Sequence, residues 1–418
     1  MCIEQFSKDI FKSLRFLVIY GALLFMVIVN FTVLPVTKTQ SPTTSTAQLP
    51  YCFENGTTSL VNEGDWFPLP GLTEKDYRER AELDRFIRRA NEWAPVLHRP
   101  DLRCGKNVPI PGYRLFSQCN AEGQSPCCNL NTGLCGKGAE NCDCENCTDF
   151  RKMISAELAQ WQPRKCRLRR FHWKDSCSLI SRQNISLVFL GDSLIRHLHT
   201  ATLLHLTNDH ETGAIPQNAS DKERQRCSGV LQIVQKECSL EVAAQNVDEL
   251  QSDTVCTGFT PNKFIVDLVQ DYHSVLLQKV RDKINSVLNQ ENTWLILGVG
   301  LHYQLEMDSL KREYLDKVFE ILSHSANGWP KVLWIELHAF SGYIRQVAGP
   351  TMKKIEDFNE LVEEYLEKRG AKVIKTFAMT KNVKSYDGRH HGLGLNLFKV
   401  DLIMNYLDQF YRKNRKKS

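Results

Sequence analysis

The 418-residue sequence has no Asp-x-Asp pair, no cysteine after Cys256 and no large excess of charge of one sign. The first absence removes the metal-binding motif expected of a conventional glycosyltransferase. The last argues against a nucleic-acid partner, because the formal net charge of +5 is spread over 53 cationic and 48 acidic side chains and gives no basic footprint. Residues 412–418 read as a solvated basic tail. Apolar residues are not scarce: at 42% of a 48.0 kDa chain they suffice for one large or two modest domains with real cores.

One long apolar run stands near the start, "FLVIYGALLFMVIVNFTVL", residues 16–34, interrupted only by Asn30 and Thr32. Its 19 residues span roughly 28 Å as a helix, close to a bilayer core. A cleavable signal peptide has a shorter apolar region, about 7–15 residues, and ends at a small-x-small site. Lys8, Lys12 and Arg15 precede the run and Lys38 is the first cation after it. The positive-inside rule therefore predicts a cytoplasmic tail over 1–15, a transmembrane signal anchor over 16–34 and a lumenal remainder.

Cysteine usage bears on that topology, since 14 of the 15 cysteines fall between Cys52 and Cys256 and only Cys2 lies on the cytoplasmic side. An even lumenal count suits disulfides in an oxidising compartment. Acceptor sequons for N-glycosylation stand at Asn55, Asn146, Asn184 and Asn218, all on the same side. The expected address is the Golgi membrane, single-pass type II, with the bulk of the chain lumenal.

Residues 35–50, rich in Ser, Thr and Pro, read as a flexible stem. In residues 73–94 the spacing of Tyr77, Ala81, Leu83, Phe86, Ile87, Ala90 and Trp93 predicts an amphipathic helix that Thr73 can cap. A cysteine-rich lumenal region is expected over 51–180, with eight cysteines between 104 and 147 and little apolar material. Such a segment needs staples. Disulfides are expected, with zinc held by thiolates as the alternative. Within it "CCNLNTGLCG" resembles the core of hevein-like chitin-binding modules, without the aromatic side chains that stack on sugars there.

From residue 185 the pattern becomes alternating strands and helices. The runs 185–190, 229–234, 293–300, 331–337 and 371–376 read as strands. Helical stretches follow at about 194–206, 270–290, 308–324, 355–369 and 395–411. Alternation predicts an α/β fold with a mainly parallel sheet covered on both faces, over 181–411. Reactive groups in such sheets gather beyond the carboxyl ends of the strands. Ser193, in "VFLGDSLIRHL", falls just past the first.

A strand-turn-helix corner with Ser at its turn fits an N-cap as well as an exposed nucleophile. A nucleophile needs a base and a group that orients the base. "SYDGRHHGLGLN", residues 385–396, offers Asp387 and His390 on one short stretch, with His391 as a competitor for His390.

The pair "GDSLIR" and "DGRH" resembles the SGNH (GDSL-type) hydrolase superfamily. It is most similar to the PC-esterase group, which includes trichome-birefringence-like polysaccharide O-acetyltransferases and sialate O-acetyltransferase. "WQPRKCRLRRF", residues 161–171, is similar to a Trp-x-Pro-x-x-Cys-x-x-x-x-Phe stretch that precedes the Gly-Asp-Ser block there. The resemblance implies an SGNH-like three-layer sandwich with Ser193 as nucleophile, His390 as general base and Asp387 as orienting acid. It places Arg196, Gly300 and His302 near the oxyanion or substrate. One departure stands out: the superfamily's Gly-x-Asn block falls on "LGVGLHY", where Gly300 replaces the asparagine.

The function implied is a glycan O-acetyltransferase or O-acetylesterase acting through an acyl-serine in the Golgi lumen. It uses no bound cofactor and no metal. The acetyl donor, acetyl-CoA among the candidates, is a co-substrate of the transferase form, and a single anchor then calls for a lumenal donor or a donor-supplying partner protein. The substrate is a glycan or glycoconjugate, with no nucleic acid involved. The alternative is a non-catalytic glycan-binding or adhesion protein that retains the fold.

Overall fold

The structure, a computed structural model, describes residues 49–54, 60–90, 99–109, 116–120, 123–136, 142, 147–251, 254–259, 265–270, 277–340 and 350–415. The apolar run 16–34, the stem up to residue 48 and the sequons at Asn55 and Asn146 lie outside the described residues. Among the described residues no helix is long and apolar enough to cross a membrane. Asn184 and Asn218 are both exposed.

Five strands build the central sheet: β1 (Ser186–Gly191), β2 (Val266–Val269), β3 (Thr293–Gly298), β4 (Lys331–Ile335) and β5 (Lys372–Ile374). All pair in parallel, in the order β5-β4-β3-β1-β2. Every residue of β1 and β3 is buried, as in a sheet covered on both faces, where strands read as near-continuous apolar runs. The helices used below are α1 (Glu74–Ala90), α2 (Trp173–Gln183), α3 (Ser193–Thr207), α4 (Leu277–Val287), α5 (Met352–Glu367) and α6 (Leu393–Arg415).

Alternate side chains of each strand enter different cores. Leu187, Phe189, Trp294 and Ile296 pack with Leu179 of α2, Leu198 of α3 and Val400 of α6. Val188, Leu190, Leu295 and Leu297 pack with Ile284 of α4 and Phe358 of α5. Burying one such side chain contributes about 1.5–3 kcal/mol, so both faces hold the sheet.

Four of the five expected strands form, but residues 229–234 do not. Leu231–Val234 is a helical turn, because Gln232 is drawn inside, accepting from the Ala214 N–H and donating to the Glu211 and Gly229 carbonyls. An apolar run this short fits a buried helix as well as a strand. The fifth strand is β2, where Val266 and Leu268 face inward around Asp267.

The chain leaves β1 for β2 on one side, then crosses to β3 on the other, so the strand order reverses between β1 and β3. Crevices at such reversals are the usual ligand sites of open parallel sheets. Gly191 and Gly298 are register partners at this place. A Cβ on Gly191 would stand 2.2 Å from the Gly298 carbonyl oxygen, and one on Gly298 2.7 Å from Ile195 Cδ1. Two glycines thus let the strand ends and the start of α3 close together.

The expected disulfides are present: Cys52–Cys166, Cys104–Cys128, Cys119–Cys135, Cys127–Cys142, Cys177–Cys256 and Cys227–Cys238. The Cys104, Cys119 and Cys128 sulfurs lie within 4.8 Å of one another, but as disulfide sulfurs they offer no thiolate to zinc. Gly64–Pro68 and Ala159–Pro163 form an antiparallel ribbon. Its Trp161 joins Phe53 and Val61 in the same core as α2, α3 and α6.

Helix α1 starts where expected: the Asp76 N–H donates to Thr73 Oγ1, and the Thr73 N–H to Asp76 Oδ2. Its expected apolar face is only partly buried, with Ile87 inside while Tyr77 and Phe86 are 46% and 43% exposed. Trp93 lies outside the described residues. Polar contacts tie the helix down instead, Arg80 pairing with Asp84 and, at 3.3 Å, with Glu157. At the other end α6 continues through Arg415, so residues 412–415 are helix and not tail. Arg412 continues it by pairing with Asp408 one turn back.

Candidate active site

Ser193 opens α3 directly after β1. Asp192 is its N-cap, with Oδ1 accepting from the Leu194 N–H at 3.0 Å. The capping role therefore falls to Asp192, which leaves the Ser193 hydroxyl for another partner. That partner is His390: Ser193 Oγ and His390 Nε2 are 2.7 Å apart.

His390 comes from a tight hairpin in which Ser385 and His391 form an antiparallel bridge and the Tyr386 N–H donates to the His390 carbonyl. Gly388 sits at its tip with φ of 90°, a conformation that side chains with a Cβ disfavour. Asp387 organises the turn, Oδ1 accepting from the Arg389 and His390 N–H groups at 2.8 and 2.6 Å. Its Oδ2 lies 2.5 Å from His390 Nδ1. An ionised carboxylate only accepts, so the imidazole proton sits on Nδ1 and Nε2 is free to accept from Ser193 Oγ. Burial pushes the Asp387 carboxyl up, but His390 and the two backbone donors outweigh it and hold the group below its ordinary range.

His391 points the other way. Its Nδ1 is 3.0 Å from the Lys384 carbonyl and its Nε2 3.3 Å from that of Ala339, and burial pulls it down to about 4. The structure thus brings Ser193, His390 and Asp387 together and leaves His391 aside. Immediately after it, Gly392 and Gly394 let α6 begin against Ala156 and Glu157, where a Cβ on Gly394 would stand 2.5 Å from the Glu157 nitrogen.

Four neighbours were not singled out by sequence reasoning. His197, one turn beyond Ser193, packs its ring 4.8 Å from that of His390, and Tyr386 stacks against both. Burial first, then the nearby cations, holds His197 far below its ordinary value. His338 follows the carboxyl end of β4, and Lys399 reaches it from α6; each is 3% exposed. A titratable residue beyond a strand's carboxyl end was the available signal for His338, and a heptad-like position one turn past Ser193 the signal for His197. Lys399, flanked by apolar residues on a helix, gave none.

The three oxyanion or substrate candidates are placed differently. Arg196 is buried one turn into α3, and its Nη1 donates to Gln270 Oε1 at 2.5 Å. The Gly300 backbone N–H faces the Asp192 carboxylate and favours its ionised form. A Cβ on Gly300 would stand 2.9 Å from the ring of buried Phe358, so no asparagine fits there without displacing that ring. His302 is exposed on the turn Leu301–Tyr303 that follows. Asp192 itself is 1% exposed, and burial pushes its carboxyl up to about 6 against the pull of Leu194, His390 and Arg196.

Fold and site together define an α/β protein with a five-stranded parallel sheet that carries a Ser–His–Asp arrangement where the strand order reverses. No family model matches the chain, and no curated protein matches it.

Proposed function

We propose that the chain is a serine-dependent glycan O-acetyltransferase or O-acetylesterase with an SGNH-like three-layer fold, related to the PC-esterase group. It works in the Golgi lumen behind the single anchor over residues 16–34. The observation that carries this reading is the hydrogen-bonded line from Ser193 Oγ through His390 to Asp387, at 2.7 and 2.5 Å. Geometry of this kind is what an acyl-serine mechanism needs.

In that mechanism Ser193 Oγ attacks the acetyl carbonyl carbon of the donor, and its proton passes to His390 Nε2. Asp387 accepts from Nδ1–H throughout, which holds the ring and offsets the imidazolium charge. The tetrahedral oxyanion forms at the N-terminus of α3, where backbone N–H groups and the helix dipole favour negative charge. Arg196 adds a fixed cation one turn away. Collapse breaks the bond to the donor's leaving group, which takes the proton from His390. A sugar hydroxyl, or water in the esterase form, then gives its proton to His390 and attacks the acetyl-serine, releasing Ser193. A transferase has to keep water from this second step and needs a lumenal acetyl donor, supplied through a partner protein.

The test is turnover of a chromogenic acetyl ester by the full chain in mild detergent, with and without glycan acceptors. Ester cleavage that becomes acetyl transfer when acceptor is added supports the transferase; cleavage alone supports the esterase. Binding to glycans with no turnover of any acetyl ester would replace both with the binding protein.

A further inference from the structure

We propose that His338 and Lys399 are positioning residues for the Ser193–His390–Asp387 site: Lys399 Nζ donates to His338 Nδ1, and the His338 Nε2–H holds the Arg389 carbonyl of the hairpin that presents the base. The inference rests on the reading of Ser193 and His390 as nucleophile and base. Neither residue touches Ser193 or the reacting atoms, and each acts through the hairpin.

Two contacts carry it. Lys399 Nζ lies 2.8 Å from His338 Nδ1, and His338 Nε2 lies 2.6 Å from the Arg389 carbonyl oxygen. An amine can donate to an imidazole nitrogen but the carbonyl can only accept, so the single proton of a neutral His338 is assigned to Nε2. Arg389 stands between Asp387 and His390, and its own N–H is held by Asp387 Oδ1 at 2.8 Å. The next peptide, which links Arg389 to His390, is gripped on both sides: Asp387 Oδ1 also accepts its N–H at 2.6 Å, and His338 holds its carbonyl. The three anchoring elements are separate in sequence: the end of β4, the hairpin and α6.

The chemistry of the pair suits this task and costs stability. A lysine and a histidine, each 3% exposed, occupy space that apolar side chains would fill with less desolvation. Burial pulls Lys399 down to about 7, against the opposing pull of Asp192, and holds His338 far below its ordinary value, with Lys399 as a further cause. His338 thus stays neutral with one donor and one acceptor, which the two contacts use. The titratable or charged groups facing Lys399 are Asp192 from the turn before α3, His197 from α3, His338 from the segment after β4 and His391 from the hairpin. Lys399 accordingly stands between the turn that carries the nucleophile and the loop that carries the base.

The experiment measures the rate of acetyl-serine formation from an activated acetyl ester, as a function of ester concentration, on the full chain in mild detergent. Wild type is compared with Lys399→Met, His338→Leu and His338→Gln, the last able to donate and accept from one amide. We expect Lys399→Met and His338→Leu to lower the maximal rate about 10- to 100-fold, the scale of a misplacement of about 1 Å. The half-saturating ester concentration stays within about twofold. His338→Gln recovers most of the rate. Folded Lys399→Met and His338→Leu proteins with wild-type maximal rates would overturn the positioning role, as would a folded His338→Gln as slow as His338→Leu. A wild-type protein that forms no acetyl-serine overturns the underlying catalytic reading instead, and the two failures are read from different samples.

Discussion

Position 300 and Phe358 share one space: a methyl group on Gly300 would lie 2.9 Å from the edge of the Phe358 ring, which is itself 2% exposed. Gly300 adopts an extended φ of −179° that any residue can take, so space alone, and not backbone strain, excludes a larger residue. A core side chain therefore fills the space that any side chain at position 300 would need. Gly300→Ala and Gly300→Asn are both expected to destabilise the fold by about 1–3 kcal/mol, the range for overpacked cores. Installing the asparagine brings no gain in ester turnover. Thermal unfolding of both variants, with and without Phe358→Leu, checks this: coupling between the two positions is predicted, and additive effects would remove the explanation.

Asp387 fixes which nitrogen of His390 carries the proton. Replacing it with Asn offers an amide that can donate to Nδ1, which favours the tautomer with its proton on Nε2, facing Ser193. Acylation by Asp387→Asn is expected to fall about 10³- to 10⁴-fold with the fold intact. Burst kinetics on an activated ester, paired with circular dichroism, give the comparison. A loss under tenfold in a folded variant would mean that Asp387 does not set the tautomer.

Asp401 gives a pH signature in stability independent of catalysis. It is half-buried, its Oδ1 accepts from the Phe171 N–H at 2.9 Å, and loss of water around it pushes its carboxyl up to about 7 from an ordinary 3.8. Between those values the unfolded chain has released a proton that the folded chain retains. Its contribution therefore makes stability fall as pH rises through that window, levelling off above about 7. Asp401→Asn keeps the acceptor for Phe171 and has no proton to lose. It should match wild type near pH 4 and melt several degrees higher near pH 8, and equal melting temperatures at pH 8 would contradict the assignment.

Cys52–Cys166 closes a loop of 114 residues, and both cysteines are 1% exposed. Long loops lose the most chain entropy on cross-linking, so the double Cys→Ala variant is expected to lose about 2–5 kcal/mol. Melting under non-reducing conditions checks the value. An unchanged midpoint would mean that the ribbon and the Trp161 core hold this segment without the bridge.

The junction of β1 and α3 was legible because an apolar run, a capping Asp and an amphipathic run stand in unbroken order. The role of Ser193 was not, since its nearest polar partner stands 197 residues away. Strand β2 escaped because Val266–Val269 is four residues long, and one of them, Asp267, is an ion-pair partner of Lys283. The run 229–234 misled because Gln232 is satisfied by groups of the preceding loop that no local pattern reveals. Lys399 gave no signal, because the His338 that accepts from it comes from beyond the end of β4. Disulfide pairing was likewise beyond the cysteine spacing, which fixes no connectivity. The common cause is distance along the chain: short-range order shows in sequence, and partners folded in from elsewhere do not.

The central claim is that Ser193 takes an acetyl group with His390 as its base. Intact mass of the full chain after exposure to an activated acetyl ester, followed by peptide mapping, tests it most directly, with Ser193→Ala and His390→Ala alongside. The account predicts one acetyl adduct on Ser193 in wild type, none on that peptide in Ser193→Ala, and formation at least about 10³-fold slower in His390→Ala. A folded, fully oxidised wild-type protein with no adduct on Ser193 would contradict it.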